Sequence, residues 1–173
     1  MTSDFGVHLA VILLTLAAVM AAVGLHYEGL SWLARRLAHA KGPHRRRVLY
    51  AVIGLMALHV AEIWIFGGAY LLALSMPGAG SISGAPAAGI LDAVYLSAMS
   101  FSTVGFGDVA PAGPIRFMSG TEAVLGLFLI GWSATFTFLE MEQNWNDRPR
   151  RIRRTRKRIA DVRDPDAAAR TDR

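Results

Sequence analysis

The stretch that decides the fold of this chain is Thr103-Val104-Gly105-Phe106-Gly107-Asp108, in which glycine alternates with larger residues. An ordinary extended backbone turns successive carbonyl groups to opposite sides. Carbonyls that all face one axis therefore need backbone angles that side chains resist. Gly105 and Gly107 tolerate such angles because they lack a Cβ atom. The Thr103 hydroxyl can add one further oxygen at the end of such a row. A Gly-rich surface turn is the alternative interpretation of this stretch.

The composition indicates a membrane protein. Of the 173 residues, 53% are hydrophobic and 18% are charged, and the mean hydropathy is +0.37. Soluble domains usually carry about 25% charged residues. The chain has no cysteine, which excludes a disulfide framework and a thiolate metal site. The 18 Lys and Arg residues are clustered, with six between Arg35 and Arg47 and eleven between Arg148 and Arg173. Basic clusters beside apolar segments are typical of proteins oriented in a membrane.

Three apolar segments are long enough to cross a bilayer. The first, Phe5 to Leu25, lies within residues 1–25, an additional N-terminal transmembrane helix. Because Asp4 precedes it and no basic residue does, a retained helix is favoured over a cleaved signal peptide. An outer helix is predicted over residues 48–76 and an inner helix over residues 115–139.

Residues 26–47 are predicted to form a basic amphipathic linker between the first two spans. Leu30, Leu33 and Leu37 lie at helical spacing on one side, which indicates an interfacial helix lying on the cytoplasmic leaflet. A solvated connector without fixed structure is the alternative. Residues 140–173 are predicted to be a basic cytoplasmic tail. The basic residues expected to face lipid headgroups are Arg35, Arg36, Arg45, Arg46, Arg47, Arg150 and Arg151.

A short apolar helix is predicted from Ile90 to Ser102, too short to span the membrane. Asp92 in its first turn complements the helix dipole. The loop over residues 103–108 then lies at membrane depth, where non-helical backbone must be buried in protein or line water. If this loop opens outward, the N-terminus is outside and both basic clusters are cytoplasmic. The positive-inside rule gives the same orientation in the plasma (inner) membrane.

Residues 48–139 resemble the pore module of the potassium channel superfamily, and more narrowly its small prokaryotic members with two helices around one pore loop. Ser102 to Asp108 is the most specific part of the resemblance, because a T-V-G-Y-G loop lines potassium-selective pores. The implied fold class is an all-α membrane protein with three transmembrane helices, a re-entrant pore helix and a selectivity filter loop, assembled as a homotetramer. The implied activity is passive K⁺ conduction without enzymatic chemistry or a cofactor. The residues implied to coordinate K⁺ are Thr103, Val104, Gly105 and Phe106.

The resemblance also implies how the filter is supported. It places Asp108 at the outer mouth, where it hydrogen-bonds an aromatic residue of the pore helix, here Tyr95. Three positions depart from the pattern of many relatives. Phe106 replaces Tyr, Ser102 replaces Thr, and Met99 stands where some relatives carry Glu. Less hydrogen bonding behind the filter is therefore expected.

Several residues inside the spans are candidates in their own right. Glu122 is predicted to support the filter through the pore helix or the filter backbone, because an ionisable residue in a membrane indicates function. Gly126 is the first candidate for a gating hinge and Gly131 the second, with close helix packing as the alternative. Glu62 and His59 predict a polar contact between helices. A proton-sensitive pair and half of a metal site are the alternatives.

Two other functions remain as alternatives to a K⁺-selective channel. A weakly selective monovalent cation channel could share this architecture, although the retained Phe106-Gly107 argues against it. A non-conducting scaffold or regulatory subunit could also retain the motif. The expected partners are three further copies of the chain and anionic lipids. Nucleic acid is not expected, since the basic tail lacks interleaved aromatic residues.

Overall fold

The computed structural model describes the backbone of residues 2–39, 44–85 and 89–163, and the side chains of residues 5–39, 46–85 and 89–142. Within these ranges, three helices are long and apolar enough to cross a membrane, and a fourth apolar helix is too short. The predicted fold class of three spanning helices and one re-entrant helix is confirmed. The elements are α1 (Thr2–His39), α2 (His44–Leu74), β1 (Ser81–Ser83), α3 (Ile90–Phe101), β2 (Ala110–Ala112) and α4 (Ile115–Arg163).

Helix α1 is continuous from Thr2 to His39, so the prediction of a separate interfacial helix after Leu25 is wrong. One buried stripe, apolar except at Thr15 and His26, runs along α1 at spacings of three and four residues. It stays in phase beyond Leu25. Its far end packs on α2 rather than on lipid. A helix continues when its apolar face finds a continuous partner surface, and α2 provides one. The contacts at this end join Leu30, Leu33 and Leu37 to Ala51 and Leu55. The predicted break at Gly42-Pro43 lies outside the described residues.

The main core lies where α1, α2, α3 and α4 meet. Phe66 and Tyr70 of α2 are fully buried there, beside Leu96 of α3 and Met118 of α4. Val11 of α1 completes this cluster from the outside of the pore module. The additional helix is therefore packed on the module along much of its length. Large apolar side chains on the outer faces of the three long helices remain exposed, as lipid-facing residues require.

Two short strands, which the sequence did not predict, join the outer loop to the segment after the filter. β1 and β2 pair antiparallel, with Ile82 opposite Pro111. The Ser83 hydroxyl donates to the Ala110 carbonyl at 2.9 Å, and Ile82 is buried. Strands of three residues, surrounded by Gly and Pro, are too short to show an alternating pattern. This pairing ties the outer loop to the chain that leaves the filter.

Helix α4 begins at Ile115 as expected but continues to Arg163, well beyond residue 139. The expected tail over residues 140–173 is therefore helical in its described part. Long unbranched charged residues, which are frequent here, are good helix formers. Residues 164–173 lie outside the described range.

The basic residues expected to face lipid headgroups are described only in part. Arg35, Arg36 and Arg46 are exposed, and Arg47 is half-buried. The Arg36 guanidinium lies over the Trp32 ring, 5.3 Å from its centroid. The side chains of Arg45, Arg150 and Arg151 lie outside the described ones.

Candidate selectivity filter and its supports

The filter loop begins where helix α3 is capped. The Ser102 amide and hydroxyl both donate to the Ala98 carbonyl, at 3.1 and 2.7 Å. The Thr103 amide donates to the Ser100 carbonyl at 3.0 Å. These bonds satisfy backbone groups at the last turn and direct the chain away from the helix axis. Ser102 therefore shapes the start of the loop through the pore helix.

The backbone of the loop alternates in the sign of φ. Thr103, Gly105 and Gly107 have φ of 58°, 52° and 83°, and the residues between them are not in the left-handed region. This alternation reverses the direction of every second peptide plane. Successive carbonyls can then face the same side of the loop. The sequence predicted the role of the two glycines but missed Thr103. A β-branched residue with positive φ is a genuine outlier, at a cost of about 1–3 kcal/mol.

A single chain leaves the filter loop uncovered. Val104 is 54% exposed and Phe106 is 71% exposed, although both are apolar. The two side chains of the loop best suited to brace it are therefore covered only in part by the described residues of their own chain. Irregular backbone at membrane depth needs protein or water around it.

The predicted contact between Tyr95 and Asp108 is present. The Tyr95 hydroxyl donates to Asp108 Oδ2 at 2.8 Å, and Asp108 Oδ1 accepts from the Val109 amide at 3.0 Å. The hydrogen bond to Asp108 raises the pKa of Tyr95 above its ordinary value. The bond ties the outer end of the loop to the middle of α3. At the N-terminal end of α3, the Gly89 amide donates to the Asp92 carboxylate at 2.8 Å.

Glu122 of α4 is fully buried behind the pore helix. Its carboxylate accepts hydrogen bonds from the Tyr70 hydroxyl of α2, at 2.7 Å, and from the Ser97 hydroxyl of α3. Ser97 Oγ also lies 2.8 Å from the Ile63 carbonyl. Glu122 thus joins three helices. It was predicted to contact either the pore helix or the filter backbone, and the structure shows the contact with the pore helix. Sequence reasoning missed Tyr70 and Ser97, although a serine on the buried face of an apolar helix was an available signal.

Further contacts hold α4 against the end of α3. The Ser100 and Ser119 hydroxyls are 2.8 Å apart. A Cβ atom on Gly126 would lie 2.1 Å from the Phe101 carbonyl oxygen, whereas one on Gly131 meets no described atom within 4 Å. This contact favours close packing as the reason for Gly126. Met99 is half-buried and carries no carboxyl group.

A second polar cluster lies between α1 and α2. Glu62 accepts from His26 Nδ1 at 2.7 Å through one oxygen, and from His59 Nδ1 at 2.9 Å through the other. The predicted polar contact between helices is therefore confirmed, and it includes His26, which sequence reasoning missed. A lone histidine in an apolar run gives no indication of its partner. His26 is nevertheless in phase with the buried stripe of α1.

A short re-entrant helix, a loop of alternating φ and two flanking spans define the class of this protein as an ion channel. The ion channel family matches residues 58–143, from the middle of α2 through the apolar part of α4. Protein LctB of Geobacillus stearothermophilus is 31% identical over 96 residues, which is 56% of this chain and 72% of that relative. No solved structure matches the chain. The chain belongs to the ion channel family, within the potassium channel superfamily.

Proposed function

We propose that the chain is one subunit of a homotetrameric channel that conducts K⁺ selectively and passively across the membrane. The loop Thr103–Asp108 is the observation that carries this proposal, because positive φ recurs at every second residue. Four such loops around one axis would present rings of carbonyls in place of the water around the ion. The ion would be coordinated at Thr103, Val104, Gly105 and Phe106.

The exposed apolar side chains of the filter loop support assembly into a tetramer. One loop cannot surround an ion, and four loops form the known potassium-selective arrangement. The exposed side chains of Val104 and Phe106 would be covered by neighbouring copies of the chain. Neighbouring copies would also supply the protein surroundings that irregular backbone at membrane depth requires.

Two supports would hold the filter in its conducting shape. The Tyr95–Asp108 hydrogen bond restrains the outer end of the loop. Glu122 restrains the pore helix, which carries the loop at its C-terminal end. That end of a helix has partial negative charge, and it would favour a cation on the pore axis.

The charge distribution supports the proposed orientation. Arg35 and Arg36 lie near the C-terminal end of α1, and Arg46 lies near the N-terminal end of α2. The two helices are consecutive and antiparallel, so these charges lie on one side of the membrane. Basic residues remain on the cytoplasmic side, where they would attract anionic headgroups. The N-terminus is then outside and the end of α4 is cytoplasmic.

Ion flux into liposomes tests conduction directly. Purified full-length chain in K⁺-loaded liposomes is expected to release K⁺ when an ionophore balances the charge. Gly105→Ala should abolish release, because alanine resists φ of 52°. Gly24→Ala is the matched control, since its Cβ atom meets no described atom within 4 Å and it lies in α1, outside the pore module.

Parent protein that folds and assembles but never releases K⁺ would favour a non-conducting scaffold instead. Release that persists unchanged in Gly105→Ala would show that ions pass by another route. A weakly selective cation channel is the remaining alternative, and the retained Phe106-Gly107 argues against it.

A further inference from the structure

The cluster of His26, His59 and Glu62 has the composition of a metal site. The Glu62 carboxylate lies between the two imidazoles, with oxygen-to-Nδ1 distances of 2.7 and 2.9 Å. Each residue offers one ligand atom, and the three atoms lie within 4.8 Å of one another. His26 and Glu62 are fully buried, and the His59 side chain is 14% exposed. Three ligand groups thus converge on a volume suited to one small ion.

We propose that His26, His59 and Glu62 bind a divalent transition metal ion, with Zn²⁺ as the best match. Two imidazole nitrogens and one carboxylate form a three-ligand zinc set, which leaves a fourth position for water. Imidazole ligands disfavour Ca²⁺ and Mg²⁺, which prefer sites built from oxygen.

The apolar surroundings favour a bound cation. A carboxylate taken out of water is costly unless a positive charge or hydrogen bonds compensate it. Two neutral histidines supply hydrogen bonds only, whereas a divalent ion supplies full charge. The hydrogen-bonded arrangement also leaves His26 Nε2 buried without a partner among the described residues. The Trp132 ring packs against the His26 ring, with 5.3 Å between the two ring centroids.

An ion can reach the cluster beside His59. This side chain lines a cavity of about 380 Å³ between α2, the end of α3 and α4. The cavity is lined mostly by apolar side chains, and Ser102, Ser133 and Thr137 are its polar residues beside His59. Ser133 Oγ has no hydrogen-bond partner within the described part of the chain. The fourth ligand of the metal would be a water molecule that enters from this cavity.

The site would give helix α1 a role in the channel. His26 is its only ligand from α1, so the metal would fasten that helix to α2. The cluster also lies beside the end of the pore helix, since the ring centroids of His59 and Phe101 are 5.6 Å apart. Phe101 is the last residue of α3, two positions before Thr103. A bound metal would therefore stiffen the wall directly behind the filter.

Metal binding can be measured on untagged full-length protein in detergent, stripped with a chelator and titrated with Zn²⁺ by calorimetry. One Zn²⁺ per chain is expected. His26→Gln, His59→Gln and Glu62→Gln should each weaken binding at least about tenfold. His39→Gln is the matched control, because His39 is exposed at the end of α1, where its ring is hydrogen-bonded to the Arg35 carbonyl. Zn²⁺ affinity should be unchanged in this control.

A second measurement needs no variant that could misfold. X-ray absorption of the Zn²⁺-loaded parent protein should show two imidazole ligands and oxygen ligands. A shell of oxygen alone, or of one imidazole, would overturn the proposal. So would the absence of saturable Zn²⁺ binding, including the case in which the cluster responds to pH alone. Zn²⁺ binding that survives in all three folded variants would also overturn it.

Discussion

The hydrogen bonds of Glu122 with Tyr70 and Ser97 lead to a specific prediction about stability. Glu122→Ala removes the carboxylate that accepts from the Tyr70 and Ser97 hydroxyls. Ser97 can then turn its single hydroxyl proton to the Ile63 carbonyl, 2.8 Å away, so of these two hydroxyls that of Tyr70 is left without a partner. A buried hydroxyl without a partner costs about 1–3 kcal/mol, and the lost methylene group costs roughly another 0.8 kcal/mol. The total is about 2–4 kcal/mol per subunit.

The measurement is the unfolding of the assembled protein in mild detergent, followed by fluorescence and by the fraction that remains oligomeric. Glu122→Gln is the conservative control, because its amide can accept from Tyr70 and donate to Ser97 Oγ. It should lose less than about 1 kcal/mol. Adding Tyr70→Phe to Glu122→Ala removes the stranded hydroxyl, and the double variant should recover part of the loss.

The reasoning is refuted if Glu122→Ala unfolds within about 0.5 kcal/mol of the parent protein, the range of ordinary surface substitutions. It is also refuted if the double variant is no more stable than Glu122→Ala. Either result would mean that the carboxylate does not satisfy the Tyr70 hydroxyl in the assembled channel.

Two further predictions concern the packing and the outer end of the filter. Gly126→Ala should prevent assembly or sharply lower stability, because its Cβ atom would lie 2.1 Å from the Phe101 carbonyl, while Gly131→Ala should assemble normally; equal oligomer yields on size exclusion would contradict this. Tyr95→Phe should shorten sustained K⁺ flux by removing the bond to Asp108. Since that bond raises the pKa of Tyr95, it is present below the ordinary tyrosine value of about 10 and is lost only as pH rises through the raised value. The difference from the parent should therefore stay constant from about pH 7 to 9, and a difference that vanished there would contradict the assignment.

Sequence patterns predicted the features that follow from composition and local geometry. Three spans, the re-entrant helix and the filter loop depend on apolar length and on glycine spacing, which are visible in a single chain. The Tyr95–Asp108 contact was predicted because the resemblance to potassium channels pairs those positions. The start of α4 at Ile115 follows from Pro114, which suits a first helical turn.

The features that were missed depend on contacts between distant segments. His26 contacts Glu62 only because α1 runs antiparallel to α2 along an uninterrupted buried stripe. The basic residues that follow Leu25 predicted a separate interfacial helix there instead. Gly126 is a packing residue because the Phe101 backbone lies against it. The positive φ of Thr103 is imposed by the loop against the preference of a β-branched residue. Periodicity can place His26 on the buried face of α1, but neither periodicity nor propensity identifies the contact that each of these residues makes.

The central claim is that the loop Thr103–Asp108 selects K⁺, and the reversal potential of reconstituted channels tests it most directly. With K⁺ on one side of a planar bilayer and mixed K⁺ and Na⁺ on the other, current should reverse close to the K⁺ equilibrium potential. It should stay there when Na⁺ is varied at constant K⁺. A reversal potential that follows Na⁺ as closely as K⁺ would contradict the account and identify a weakly selective cation channel.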